Sequence, residues 1–571
     1  LLFFYLVFRF LGFTLILLYD SITHLLSLIL STMSKKTIIR SAGVISLATL
    51  LSRILGLVRE IIFADLFGAN FITDAFRVAH AIPYTLRRLL GEGAMSAFLV
   101  PVFTEIRNKE GEQAAKEFAN TVFTVFSLLV VGIIAIYIAI APGIIYLMAP
   151  GLAQNPQAFD LAVFLSRLMI PYMLLMMSSA LSMGILNSYR HFFSPAMAPV
   201  VMNLAVIIAL LYLCPRMGDT TYMQIQGMAY GILAGGILQV LIQFPALIKR
   251  GFIYRPRFNI CHPGIKRMLI LMGPAVFVIG VVRFNILMDT LMSSFLGEGN
   301  ISYLSYGERL LQFPLGALGF GISTAILPLL SQYCAEKNDA KYKETLNFAF
   351  RLVLVLCIPA TLGLAVLASP TVRLIYQHGQ FTATDTLYTT QVLLAFVVGL
   401  VGFVGIQVVV PAFYSKQDTK TPLKAAVVGL VANLFFNLTL MFPLGIAGIA
   451  LSTSLATYIN LIILLWLLRR KVGLLGLRGI SRTGIKVTLA SLPMAGVAYG
   501  LWWYLDRLLG RSNSAQVVVI SVVIVMAVGV YIAVAKLLRV EEIDEALGIV
   551  KRKFFRGKGK EYEGGIGNGE V

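Results

Sequence analysis

Charge is scarce in this chain: of 571 residues only 13% are Asp, Glu, Lys or Arg, 58% are apolar, and the mean hydropathy is +0.85. A soluble domain carries about a quarter of its residues charged, so a water-exposed globular protein of this length is excluded. Four cysteines (Cys214, Cys261, Cys334 and Cys357) are scattered without a Cys-x-x-Cys pair. Neither a disulfide framework nor a zinc centre is supported. The five histidines are equally dispersed, with no two at metal-ligand spacing on one helix. The sequence holds no glycine-rich phosphate loop, which argues against direct coupling to ATP. It also shows neither a metal-binding carboxylate cluster nor a nucleophile with its base, so an enzyme acting on lipid pyrophosphates is disfavoured. Alternating strands of about ten residues are missing too, which excludes a transmembrane barrel.

What remains is a succession of apolar runs long enough to span a bilayer, for which about twenty residues suffice. They predict fourteen helices near 38–64, 71–106, 117–142, 158–187, 192–214, 224–248, 265–296, 301–333, 343–368, 384–414, 421–442, 445–470, 483–505 and 515–538. The loops supply an independent check. One alternate set is strongly basic, for example Lys249, Arg250, Arg255, Arg257, Lys266 and Arg267, or Arg469, Arg470, Lys471, Arg478, Arg482 and Lys486. The other carries only Arg216, Arg373, Arg507 and Arg511. Basic residues gather on the cytoplasmic side, and a bias of roughly six to one places both ends of the helical core there. The net charge of +20 is thereby explained without nucleic acid.

Residues 1–32 lie outside this scheme. They are apolar and precede Met33-Ser34-Lys35-Lys36, which reads as a natural start, so they are expected to be an upstream extension; an extra membrane anchor is the alternative. In the tail 541–571, Ile543, Leu547, Val550 and Phe554 recur at helical spacing beside Lys551, Arg552 and Lys553. That pattern predicts an amphipathic helix on the anionic leaflet, followed by a glycine-rich disordered end.

The two halves repeat. Pro101 matches Pro328, Glu117 matches Glu344 and Pro195 matches Pro422, each 227 positions apart. The units 33–250 and 251–472 each hold six predicted helices, an even number, so they share one orientation in a parallel repeat. The all-α polytopic membrane protein expected is thus two six-helix lobes around a central cavity, plus two C-terminal helices in 473–540.

Charge at bilayer depth costs a few kcal/mol per residue and needs a partner or a function. The first two helices carry Arg53, Arg59, Glu60, Asp74, Arg77, Arg87, Arg88 and Glu92, and the second lobe supplies Arg283, Glu308 and Arg309. Asp74 and Arg77, three apart, are placed to pair. Guanidinium in excess of carboxylate suits a phosphate-bearing ligand, because it donates parallel hydrogen bonds and keeps its charge. The plainer alternative is structural salt bridging or snorkelling. A second constellation combines Asp289, Asn433, Asn437 and Thr453, oxygen donors able to hold Na⁺. The preferred reading for this second constellation is the plainer one, Asp289 paired with Arg283 and the asparagines tying helices together.

The runs Ser52-Arg53-Ile54-Leu55-Gly56-Leu57-Val58-Arg59-Glu60, Thr73-Asp74-Ala75-Phe76 and Leu86-Arg87-Arg88-Leu89-Leu90-Gly91-Glu92-Gly93-Ala94 closely resemble the MurJ (MviN) family of lipid II flippases. So do Tyr306-Gly307-Glu308-Arg309-Leu310 and the stretch Ala412 to Pro422, and the likeness covers roughly 33–540. The resemblance implies the multidrug/oligosaccharidyl-lipid/polysaccharide (MOP) exporter fold in a bacterial cytoplasmic (inner) membrane, with the last two helices forming a groove for the polyprenyl tail. It implies substrate-binding roles for Arg53, Arg59, Glu60, Asp74, Arg87 and Arg309. Glu60 stands where the family commonly has Asp, Arg77 where an aromatic is expected, and Tyr84 where Asn is expected. A sodium site of some members maps onto Asp289, Asn433, Asn437, Thr453 and the carbonyl of Ile449, although Asn437 replaces a carboxylate.

The expected function is a monomeric transporter, not an enzyme, that moves lipid II from the inner to the outer leaflet by alternating access. No cofactor is expected beyond coupling to Na⁺ or the membrane potential, and the partners are lipid II and membrane lipids. The rivals are a flippase for another polyprenyl-linked glycan and a cation-coupled drug antiporter of the same fold. The antiporter should favour acidic cavity walls.

Overall fold

The computed structural model describes residues 35–90, 94–473, 476–510 and 512–543. The expectations for 1–32 and for the tail from 544 onward fall outside these residues. Among the described residues every regular element is helical. A helix satisfies its backbone donors and acceptors within itself, which hydrocarbon demands. Large apolar side chains such as Val518, Val522, Val525 and Met526 stay exposed on the Asn513–Leu537 helix, where lipid rather than water meets them.

Among the described residues ten helices are long and apolar enough to cross a membrane, or eleven if Ala383–Val398 and Leu400–Ser415, bent by 42°, form one broken span. The expected fourteen are therefore not reached by length and composition. The shortfall falls on the Lys35–Phe67 helix, on Phe71–Leu90 with Ala94–Glu110, and on Pro263–Ser294. These are the helices that carry Arg53, Arg59, Glu60, Asp65, Asp74, Arg77, Arg283 and Asp289, and the charge lowers their hydropathy.

Equivalent prolines occupy equivalent places in the two halves. Pro101 lies within Ala94–Glu110 and Pro328 within Phe320–Ala335. Pro195 and Pro422 each stand in the first turn of a helix, Phe193–Ile208 and Lys420–Leu444. A first-turn proline costs no helical hydrogen bond. The Pro263–Ser294 helix joins both halves. Its Ile265, Met268 and Met272 pack with Leu99, Phe103 and Phe118, while Asp289 near its other end bonds Asn437.

The lobes meet at the end of the bundle that carries the weakly basic loops. There Gln380 N donates to Asp65 O at 2.8 Å, Tyr306 Oη to Gly68 O at 2.9 Å and Gly151 N to Ser294 Oγ at 3.1 Å. Gly68 is held at φ +62°, and a Cβ there would lie 2.5 Å from the Gln380 carbonyl oxygen. Only glycine lets the two backbones close to this distance. The final helices, Leu477–Leu509 and Asn513–Leu537, pack on Asp339–Val366, where Tyr531 Oη donates to Val355 O at 2.7 Å.

Candidate functional site

Glu60 gathers three guanidiniums from three helices. Arg59 Nη2 donates to its Oε1 at 2.9 Å, Arg77 Nη2 to its Oε2 at 2.8 Å, and Arg309 Nη2 to its Oε1 at 3.2 Å. Arg59 is the adjacent residue, Arg77 lies one helix away, and Arg309 belongs to the opposite lobe. The carboxylate is 3% exposed, so its charge is compensated by these partners rather than by water. One carboxylate cannot neutralise three guanidiniums, and the contact set keeps an excess of positive charge at the junction of the lobes. Removing a partner from such a buried pair is costly because a charge is left uncompensated.

The surroundings fix each arginine differently. Arg59 Nη1 also donates to Asn203 Oδ1 at 3.2 Å, and Asn203 is itself anchored by Nδ2 to Ser52 O at 3.0 Å. Arg77 lies between the rings of Phe63 and Tyr306, 4.8 and 4.9 Å from their centroids. Aromatic faces attract the cation and leave little room for it to swing. Arg309 is a third exposed, and its Nη1 reaches Gln312 Oε1 at 3.3 Å, while Gln312 in turn donates to Glu308 at 3.1 Å. It is the least confined of the three and the one most open to a ligand.

Arg53 is exposed and points across to the other lobe at Gly316. A Cβ at Gly316 would stand 2.4 Å from Arg53 Nη1, so any side chain there would push the guanidinium away. Gly316 lies in a widened π turn, Leu315–Gly319, that follows Pro314. Such turns break the regular ladder and recur at functional positions. The side chain of Arg87 lies outside the described ones, although its helix runs on to Leu90.

Asp74 does not pair with Arg77. Its Oδ2 accepts from Gly299 N at 2.6 Å, and its Oδ1 accepts from Ser302 N at 2.8 Å and Ser302 Oγ at 2.7 Å. It thus caps the Asn300–Pro314 helix, which carries Arg309, from the other lobe. Unsatisfied N–H groups and the positive end of the helix dipole both favour a carboxylate at that position. Thr73 joins in, its Oγ1 accepting from Ser302 Oγ at 2.9 Å.

The second constellation also converges. Asp289 accepts from Asn437 Nδ2 at 2.8 Å and from Thr453 Oγ1 at 3.0 Å, and both donors are neutral. Asn437 Nδ2 donates further to Asn433 Oδ1 at 3.0 Å, and Thr453 Oγ1 reaches Ile449 O at 3.3 Å. The buried Asn437 Oδ1 has no hydrogen-bond partner. Arg283, expected beside Asp289, instead places its guanidinium carbon 5.8 Å from the centroid of the Tyr84 ring.

Sequence reasoning missed Arg77 as a ligand of Glu60, Asn203 as the brace of Arg59, and Gly316 as the seat of Arg53. Arg77 was legible as an intramembrane charge, but its rotation toward Glu60 depends on how two helices pack. Asn203, 144 positions from Arg59, left no local signal.

A family model described as "Lipid II flippase MurJ" matches residues 63–528. The "Lipid II flippase MurJ" of Burkholderia cenocepacia is 34% identical over 455 residues, covering 79% of this chain and 87% of the relative. Among solved structures, "Lipid II flippase MurJ, inward closed conformation" superposes with a TM-score of 0.71 at 28% identity, covering 90% of this chain and 99% of that one. An inward-facing transporter of the MATE family in the MOP superfamily matches with a TM-score of 0.63 at 14% identity, covering 74% of this chain and 95% of its own; it shares the fold.

Proposed function

Because the chain belongs to the MurJ family of lipid II flippases, we propose that its arginine cluster takes the pyrophosphate of lipid II and hands it between two lobe arrangements. The chain is a membrane transporter whose substrate is lipid II. The observation that carries the mechanism is the convergence of Arg59, Arg77 and Arg309 on Glu60 from both lobes. A pyrophosphate offers several anionic oxygens and can replace Glu60 as the partner of one or more guanidiniums, each contact a charge-assisted hydrogen bond. An arginine-rich site of this sign favours an anionic lipid over the cationic substrates of a drug antiporter. A flippase for another polyprenyl-linked pyrophosphate would use the same contacts.

The basic loops orient the protein with both ends of the core in the cytoplasm of a bacterial cell, in the cytoplasmic membrane. The lobe contact through Asp65, Gly68, Asp74 and Gly151 then lies on the outer side. The site is loaded from the inner leaflet, and breaking these contacts releases the headgroup into the outer one. The working unit is a monomer, since each lobe contributes to one site. The helices of 473–540, packed on the outside of the second lobe, offer the polyprenyl tail a path through apolar surface.

Two energy sources fit. Moving one elementary charge through the potential is worth about 2.3 kcal/mol per 100 mV, so the cationic cluster can respond to voltage. Asp289, Asn433, Asn437, Thr453 and the Ile449 carbonyl would hold Na⁺, and the orphaned Asn437 Oδ1 shows oxygen capacity in excess of the donors present. Bound there, a cation would compensate the Asp289 charge, which now has only neutral partners. The test of the function is complementation of a strain depleted of its lipid II flippase, with lipid II assayed in the outer leaflet. Restored exposure is expected; correct insertion without exposure would remove the substrate assignment.

A further inference from the structure

Among the described residues the Glu60 cluster leaves one buried arginine unexplained. Arg283 is 8% exposed, its Nε has no hydrogen-bond partner, and its one described contact is the face of Tyr84, 5.8 Å away. A buried guanidinium that meets no carboxylate among the described residues is unfavourable unless an anion arrives to meet it. The position is not remote from the site. Tyr84 lies on the Phe71–Leu90 helix, two turns beyond Arg77, and its hydroxyl is close enough to interact electrostatically with Arg309. On the same helix face Phe76, His80 and Tyr84 form a ladder, with ring centroids 5.8 and 5.6 Å apart. Residues four apart on a helix share a face, so the ladder runs from the junction of the lobes toward Arg283.

We propose that Arg283, steadied on Tyr84, is a second anion subsite that takes a carboxylate of the headgroup other than its pyrophosphate. This rests on the lipid II reading. The only carboxylates of that lipid lie on its peptide stem, so Arg283 is the residue that distinguishes a stem-bearing from a stemless headgroup. Arg59 and Arg309 hold the phosphates, and the partly exposed rings of His80 and Tyr84 between the two subsites give the sugar rings apolar faces to lie against. The shared chemistry, an anion on guanidinium, could equally be served by the phosphates themselves, and the substrates of the test separate the two.

Purified full-length protein is titrated with lipid II and with the same polyprenyl-pyrophosphate disaccharide lacking the peptide and with its lactyl carboxyl capped as a simple amide, for the wild type, Arg283→Gln, Arg283→Lys and Tyr84→Leu. The wild type is expected to prefer the stem-bearing lipid by about tenfold, the scale of one well-made charged contact. In Arg283→Gln that preference collapses toward unity, and Arg283→Lys recovers part of it. Tyr84→Leu weakens it through the loss of the support. Equal binding of the two lipids by the wild type, or loss of both lipids to the same degree in Arg283→Gln with Arg283→Lys folded, overturns the subsite and leaves the flippase reading standing. Failure of the wild type to bind either lipid above a phospholipid control overturns both.

Discussion

Asp74 of the first lobe caps the Asn300–Pro314 helix of the second, accepting from both the Ser302 backbone N–H at 2.8 Å and its hydroxyl at 2.7 Å. The capped helix carries Arg309, so one carboxylate of the first lobe holds the helix that brings this guanidinium to Glu60. Sequence assigned Asp74 to the binding residues. The structure shows it tying the two lobes together through Gly299 and Ser302.

Replacing Asp74 by Asn removes a charged acceptor worth about 1.5–3 kcal/mol in hydrogen bonds, and Ser302→Ala removes about 0.5–1.5 kcal/mol. Both changes should shift the population toward lobes parted at this end, Asp74→Asn more strongly. Spin labels at the exposed positions Gln154 and Thr384 would report longer distances in the variants. Distance distributions identical to the wild type would refute this tie.

Glu60→Gln leaves three guanidiniums facing a neutral amide. Breaking a buried pair in this way costs about 3–5 kcal/mol, so the unfolding temperature in detergent should fall, and inorganic pyrophosphate should restore more of it than it adds to the wild type. Glu60→Asp should retain most of the stability. A Glu60→Gln protein as stable as the wild type, and indifferent to pyrophosphate, would mean that Glu60 is not the counter-ion of the cluster.

Much of the fold was legible because apolar runs and loop charge are local signals. Most helix boundaries fell within about four residues, although the expected 71–106 is two helices and the expected 117–142 runs from Glu112 to Met148, and the 227-residue offset paired prolines that do occupy matching helical positions. Partnerships were less legible. Asp74 and Arg77 share a helix at a spacing that invites pairing, yet Asp74 sits in the first turn and faces a helix end 225 positions away. Arg283 and Asp289 likewise share a helix but face different neighbours, Tyr84 and Asn437. Rotation of a helix about its axis decides such choices, and it is set by packing between lobes that no local pattern records.

Replacing Na⁺ by a large organic cation should lower the unfolding temperature of the wild type if Asp289 and its neighbours hold the ion. Saturation at a hundred times the dissociation constant would supply about 2.7 kcal/mol. Asp289→Asn and Asn437→Leu should abolish the response. A sodium effect that survives in Asp289→Asn would place the ion elsewhere.

On the basic-loop side, Asp418 pairs with Lys471 and accepts from Thr421 N at 3.0 Å. Burial opposes its charged form, but Lys471 and Thr421 outweigh it and hold the carboxyl at about 2. A depressed acid stabilises the fold above its unfolded value of about 4, and that contribution is lost as pH falls toward 2. With Lys471 half-exposed the pair is worth less than about 1 kcal/mol. Asp418→Asn should therefore unfold slightly earlier than the wild type at pH 6, and the gap should close as the buffer is taken toward pH 2.5. A gap that widens on acidification would contradict the assignment.

The most direct test of the account is translocation of lipid II by the purified protein in sealed vesicles, measured as arrival in the opposite leaflet, for the wild type and for Arg59→Ala and Arg309→Ala. Transport by the wild type, with at least about tenfold loss in each variant at matched insertion, is what guanidiniums converging on Glu60 from both lobes predict. Undiminished transport by Arg309→Ala would contradict it.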